Sequence, residues 1–204
     1  MFHSLVKSIT AKVPARLFSS SSAGSSSAPE AYPTAVKLFH WGMAAGVISA
    51  VGLVKAQQWT DDKKKKGQYM FYHKSFGLLM MGMIFPRVAL RLRSTVPSPP
   101  PGSVMEQFAG KLSHFALYTG MIVLPISGVL MGYYGGKGLP FFFTTIPGAT
   151  KENRKKSVAK NAYKLHKQVG NVFQYIIPIH IGAVGFHYFR GQNLLARINP
   201  FTKP

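Results

Sequence analysis

Histidine both ligates metals and moves protons near neutral pH, and this chain of 204 residues carries seven of them. Four, His40, His73, His166 and His180, sit inside or at the mouth of long apolar stretches. An imidazole placed among hydrocarbon, with no water to satisfy its ring nitrogens, is costly. Ligation removes that cost, so the placement asks for a metal. Cysteine is absent, which excludes disulfides, iron–sulfur clusters, thiolate zinc sites, thiol catalysis and covalent haem attachment. The economical arrangement left is two b-type haems, each held non-covalently between two helices by a pair of axial imidazoles.

Such pairing needs elements that cross a dry interior. Four stretches are apolar enough and long enough, at about 20 residues each, to span a bilayer: residues 34–57, 69–91, 106–134 and 163–189. The expected fold class is therefore all-α, an integral-membrane four-helix bundle enclosing the haems. Tyr32, Tyr69 and Tyr163 stand at interfacial depth as anchors. Residues 61–67, with four consecutive lysines, read as a short charged loop, and the proline run of 95–102 as an extended connector. The longer link 135–162 places Phe141, Phe142 and Phe143 at the interface and a polar, helical ledge over 151–160. Pro125 and Pro178 fall within spans, where neighbouring groups can satisfy the freed carbonyl.

Composition agrees with a single membrane domain and narrows its partners. The hydrophobic share is 47% while mean hydropathy is only +0.09, because apolar blocks alternate with very basic loops. The net charge of +20, from 25 basic against 5 acidic residues, lies next to those blocks. That placement suits anionic lipid or a small anionic substrate drawn in by steering. No nucleic-acid-binding motif is present, and nucleic acid is not expected as a partner. Both membrane faces are basic, so the positive-inside rule does not orient the chain.

The first 28 residues differ from the rest. Phe2, Leu5, Val6, Ile9 and Val13 recur at helical spacing, Lys7, Lys12 and Arg16 supply charge, no acid precedes Glu30, and serine dominates 19–27. This reads as a mitochondrial transit peptide, with Arg16-Leu17-Phe18-Ser19 resembling a processing site. It predicts a multi-pass protein of the mitochondrial inner membrane.

Topology pairs the histidines. With four antiparallel crossings, His73 and His166 open the second and fourth spans and lie near one surface. His40 opens the first span near the other. His180 follows His166 by 14 residues, roughly 21 Å along the axis and about 40° from whole turns, so it reaches the level of His40 on nearly the same helix side. His73 and His166 are each followed four residues later by a glycine, Gly77 and Gly170, a gap on the adjoining turn where a flat porphyrin fits. Gly42, Gly46, Gly182 and Gly185 offer small-residue faces near the other pair; any one of these glycines serves helix packing equally well. His187, 7 residues beyond His180, is placed to contact a haem propionate or protonate a quinone, or else to reach the surface. His114 has no partner left and is assigned to the interface or a propionate; His3 belongs to the leader. The methionines read as core filler, and Arg87, Arg91 and Arg93 face headgroups unless one of them meets a propionate.

The runs Leu38-Phe39-His40-Trp41, His73-Lys74-Ser75-Phe76-Gly77, Arg87-Val88-Ala89-Leu90-Arg91-Leu92 leading into Pro97-Ser98-Pro99-Pro100, Leu124-Pro125-Ile126-Ser127-Gly128, and Leu165-His166-Lys167 through His180 to His187-Tyr188-Phe189 resemble the bacterial-type cytochrome b561 family. The resemblance covers residues 33–200. It implies a four-helix diheme cytochrome with ligands at His40, His73, His166 and His180. It also implies electron exchange with ubiquinone, superoxide as donor in one branch, and a place for His187 near the quinone. Six-helix ascorbate-dependent cytochromes of similar name do not match four spans.

Three readings follow, two of them functional. One is an oxidoreductase that passes electrons to or from ubiquinone, with superoxide as a candidate donor. The other is a haem-bearing membrane anchor or accessory subunit of a respiratory complex, without catalysis of its own. A homodimer and respiratory-complex subunits are the protein partners these readings suggest. A haem-free scaffold with incidental histidines is the third and blandest.

Overall fold

A computed structural model of the chain describes residues 31–94 and 97–201. The leader of residues 1–28, and with it the expected transit peptide, lies outside the described residues. Four long helices dominate: α1 (Thr34–Trp59), α2 (Lys63–Arg93), α3 (Val104–Tyr134) and α4 (Lys156–Phe189). Each is long and apolar enough to cross a membrane, and a helix is the element that satisfies its own backbone there. A two-stranded hairpin, β1 (Leu139–Phe141) and β2 (Thr144–Ile146), and a short α5 (Leu194–Ile198) complete the fold.

The helices exceed the expected spans, and the reasons are local. The lysine run expected in a loop is instead the first turn of α2. The Asp62 side chain accepts from the backbone of Lys64 at 2.8 Å and Lys65 at 3.2 Å, a cap that starts the helix early, and lysine is a good helix former. Only Thr60, Asp61 and Asp62 separate α1 from α2. At α3, Ser103 and Glu106 form a reciprocal capping box. The ledge expected over 151–160 divides: its second half is the opening of α4, whose 34 residues make a rod of about 51 Å against a hydrocarbon core of about 30 Å. The excess length includes first turns that carry Lys156, Lys160 and Lys164, side chains too charged for hydrocarbon.

The bundle is built as two close pairs. α1 packs along α2, and α3 along α4; the pairs meet mainly where α2 touches α3, and neither α1 nor α2 packs along α4. A core of Met43, Met80 and Ile84, flanked by Val47, Leu79, Met83, Tyr118 and Met121, joins α1, α2 and α3. Gly46 admits the Met80 side chain, and Gly120 admits the Phe173 ring, so closely that a Cβ at either position would collide. Lipid tails are as apolar as the side chains, so close approach over small residues, rather than release from water, holds such helices together. Gly42 and Gly46 thus serve α1–α2 packing. Of the three prolines inside helices, Pro86, Pro125 and Pro178, the first two adjoin residues of the site below, Arg87 and Leu124.

The hairpin occupies residues 139–146 of the link, where interfacial phenylalanines were expected. Ser75, fully buried two residues beyond His73, donates to Phe71 O at 3.0 Å and lies 3.3 Å from Pro140 O, while Phe142 N donates to it at 2.9 Å. The turn uses positive φ at Gly136, Gly138 and Phe142. One hydroxyl thereby ties the hairpin to α2.

Candidate functional site

The antiparallel crossings bring the histidines together in the expected pairs. At one end of the bundle the His73 and His166 rings, from α2 and α4, have centroids 6.0 Å apart with planes at 90°. At the other, His40 of α1 and His180 of α4 are 6.4 Å apart, tilted at 50°. Two imidazoles whose nitrogens each lie about 2 Å from a shared metal have ring centres about 6 Å apart. Both separations fit one ion between each pair.

The two ends hold their rings differently. His73 Nδ1 lies 3.0 Å from Ala50 O, and His166 Nδ1 lies 3.0 Å from Leu124 O. A carbonyl only accepts, so each Nδ1 carries the proton and Nε2 presents its lone pair, the tautomer a metal ligand needs. Ser127 Oγ adds a contact of 3.1 Å to His166 Nδ1 and is anchored on Val123 O at 2.6 Å. Opposite, His40 Nδ1 faces Arg87 Nη2 at 3.3 Å. A third imidazole joins here: His114, whose Nδ1 donates to Gly110 O at 2.9 Å, sets its ring edge-on to His180 with centroids 5.3 Å apart. Counting spans had left His114 alone; the start of α3 brings it against α4.

The glycines give a mixed result. A Cβ on Gly77 would meet nothing within 4 Å, whereas one on Gly170 would touch Leu124 at 3.7 Å, ordinary contact. Gly182 and Gly185 are open, and Gly128 faces His166 at 3.5 Å. The position beside His73 is thus open, while the corresponding position beside His166 is in ordinary contact.

His187 stands a turn from the end of α4, its Nδ1 2.6 Å from Gln192 Oε1, with Gln192 Nε2 donating to Pro101 O at 2.8 Å. Beside it Arg190 pairs with Glu106 at 2.6 Å, fastening α4 to the start of α3. Trp41, next to His40, donates to Ile198 O at 2.9 Å, and with Tyr188, Leu195, Pro200 and Phe201 lines a largely apolar hollow. The sequence reading missed the polar partners of the imidazoles, Ala50 O, Leu124 O and Ser127, and the role of α5. Carbonyls have no residue type to betray them, but the Leu-Pro-Ile-Ser run in a span was a visible signal.

No group of three or more histidine or acidic side chains forms a metal cluster among the described residues. The donor chemistry is thus paired neutral imidazoles in an apolar bundle, which suits the iron of a non-covalent haem held through its two axial positions. A multi-pass helical membrane protein with this donor set belongs to the class of membrane b-type cytochromes.

The family model for prokaryotic cytochrome b561 matches residues 31–200, and the chain belongs to that family, which implies b-type haem. It is 32% identical over 136 residues to cytochrome b561 homolog 1 of Escherichia coli (strain K12), covering 64% of this chain and 74% of the relative. It is 26% identical over 163 residues to the probable superoxide oxidase CybB of Yersinia pestis, covering 79% of this chain and 91% of that one. With cytochrome b561 homolog 2 of Escherichia coli it shares 36% over 119 residues, 56% of this chain and 62% of the relative. These relatives are bacterial and support a multi-pass membrane protein; they lend nothing to the mitochondrial address read from the leader.

Proposed function

We propose that this protein is a diheme cytochrome b that passes single electrons between an external donor and ubiquinone, with superoxide as the donor. The observation that carries the reading is the pair of imidazole pairs, 6.0 Å and 6.4 Å between ring centroids, at opposite ends of one bundle. His73 with His166, and His40 with His180, would hold the two groups, with Gly77 and Gly170 flanking the first. When bound, haem supplies a one-electron site at each end.

The chain's own residues supply the rest. Lys151, Arg154, Lys155, Lys156 and Ser157 line an open hollow at the His73–His166 end, and their charge concentrates a small anion by steering. The balance is two superoxide ions giving two molecules of dioxygen and two electrons, which with two protons convert ubiquinone to ubiquinol. At the opposite end His187, whose Nδ1 meets Gln192 Oε1, would deliver a proton to a quinone oxygen. The Yersinia pestis relative, a probable superoxide oxidase, supports superoxide as donor. The acid-poor, serine-rich leader supports the mitochondrial inner membrane as the location.

The test uses full-length protein purified in detergent with haem supplied during expression. Expected are a reduced-state b-type spectrum with two haems per chain, and ubiquinol formation on addition of a superoxide source. A colourless protein, or haem that superoxide reduces and ubiquinone does not re-oxidise, overturns the reading. Migration only with a larger respiratory complex would favour an anchor instead.

A further inference from the structure

The last turns of α2 put Arg87 and Arg91 on one helix side, one turn apart, at the His40–His180 end. Arg87 Nη2 lies 3.3 Å from His40 Nδ1. Its Nε and Nη1, and the Nη1 of Arg91, are buried with no hydrogen-bond partner. Guanidinium stays charged and only donates, so buried unpaired N–H groups here carry a large desolvation cost. The aromatic neighbours, Tyr118 at 5.9 Å from Arg87 and Tyr32 at 5.2 Å from Arg91, offset part of it and accept none of these hydrogens in the plane of the fork.

The chain supplies no carboxylate to these donors among its described residues. Asp61, Asp62 and Glu152 lie in the connections at the other end of the bundle, and Glu106, on this end, is taken by Arg190 at 2.6 Å. The contact to His40 is itself unsuited to ligation. A guanidinium donating to Nδ1 uses that lone pair, so the neutral ring must carry its proton on Nε2. For His40 to ligate, Arg87 must turn its fork elsewhere.

We propose that Arg87 and Arg91 form the receptor for the carboxylate side arms of the macrocycle clamped by His40 and His180, Arg87 exchanging His40 Nδ1 for a carboxylate when the site is filled. This rests on the haem reading above and adds to it a seating device confined to one end. A fixed guanidinium pair beside the iron also stabilises the reduced, less positive state, and the haem at this end has the higher potential of the two.

The experiment compares wild type, R87Q, R91Q and R87K, full-length in detergent, each loaded with iron protoporphyrin IX or with its dimethyl ester. Haem retention and the optical redox titration are read, with the His73–His166 haem as internal control for folding. Expected is that R87Q weakens retention of one haem by about tenfold or more, the range of charge-assisted hydrogen bonds, and lowers its potential. R87K, which keeps charge and loses the fork, falls between. In ester-loaded protein the arginine variants should differ little from wild type, because the carboxylates are already masked. Unchanged retention and potential in R87Q and R91Q overturn the inference alone. So does an R87Q effect that persists with the ester, which would place the arginine's action on His40, or one that tracks the buffer anion, which would place a free anion there. Wild-type protein that takes up no haem overturns the haem reading as well.

Discussion

The two ends of the bundle present the same pair of ligand types in opposite settings. At the His73–His166 end each ring donates Nδ1–H to a helix carbonyl, Ala50 or Leu124, and Ser127 and Ser75 pin the surrounding helices and hairpin. The positive charge there is mostly on exposed side chains of the α2 and α4 starts, with Lys74 half-buried next to His73. At the His40–His180 end charge is buried: Lys37 is fully enclosed one turn before His40, and Arg87 and Arg91 hold buried donors. A third imidazole, His114, replaces the carbonyl as neighbour to His180. The difference teaches that a helix backbone can fix an imidazole tautomer on its own, whereas an end fixed by charged side chains depends on what those side chains bind.

The largest test of that contrast removes the rings. His73→Ala and His166→Ala should each abolish the same haem, and His40→Ala and His180→Ala the other, read as halved haem content with two distinguishable spectra. If His73→Ala instead cost the haem that His180→Ala costs, the separation into ends would fail.

Much of this was legible in the chain before any coordinates. Imidazoles in apolar runs and the 14-residue step from His166 to His180 determine the pairing, because helix geometry converts spacing into depth. The Ser103-Val104-Met105-Glu106 run carries a capping-box signal that the expected span, starting at residue 106, leaves unused. What was not legible depends on tertiary approach. The hairpin forms because Ser75 happens to lie where β1 passes, and three-residue strands carry no periodicity of their own. The lysine run looked like a loop because four charges outweigh propensity in a composition reading, yet one aspartate cap decides it. His114 was set aside by counting ligands in pairs, and only the start of α3 packing against α4 makes it a neighbour of His180.

Next in size is Ser127→Ala. The hydroxyl contacts His166 Nδ1 at 3.1 Å, and loss of such a supporting partner typically costs about 10- to 100-fold in metal affinity. The haem of the His73–His166 end should be retained less well while the other is unaffected, checked by haem loss to an acceptor apoprotein. Equal loss at both ends would mean Ser127 acts on the bundle as a whole.

A smaller effect is expected from charge. Lys151, Arg154 and Lys155 border the basic hollow, and replacing all three by glutamine should slow superoxide-driven reduction by about tenfold at low salt, the lower range of electrostatic steering. The deficit should shrink as ionic strength rises, because the Debye length falls to about 8 Å at physiological salt. Dithionite reduction should be unchanged. An equal slowing at high salt would move the effect from steering to structure.

The smallest predicted change also asks the sharpest question of the crowded end. His180 has two imidazole neighbours, His40 at 6.4 Å and His114 at 5.3 Å between centroids. Rings bridging one iron stand about 6 Å apart, but the decisive difference is what holds the second ring. His114 is exposed, with Nδ1 tied to its own helix at Gly110, while His40 faces Arg87 of α2. If His40 is the ligand, His114→Ala removes only an edge-on ring contact, about 0.5–1.5 kcal/mol. The haem then stays bound, with a small potential shift at this end and none at the other. Complete loss of that haem in His114→Ala, with its survival in His40→Ala, would exchange the roles of the two rings and leave Arg87 bound to a histidine that never ligates.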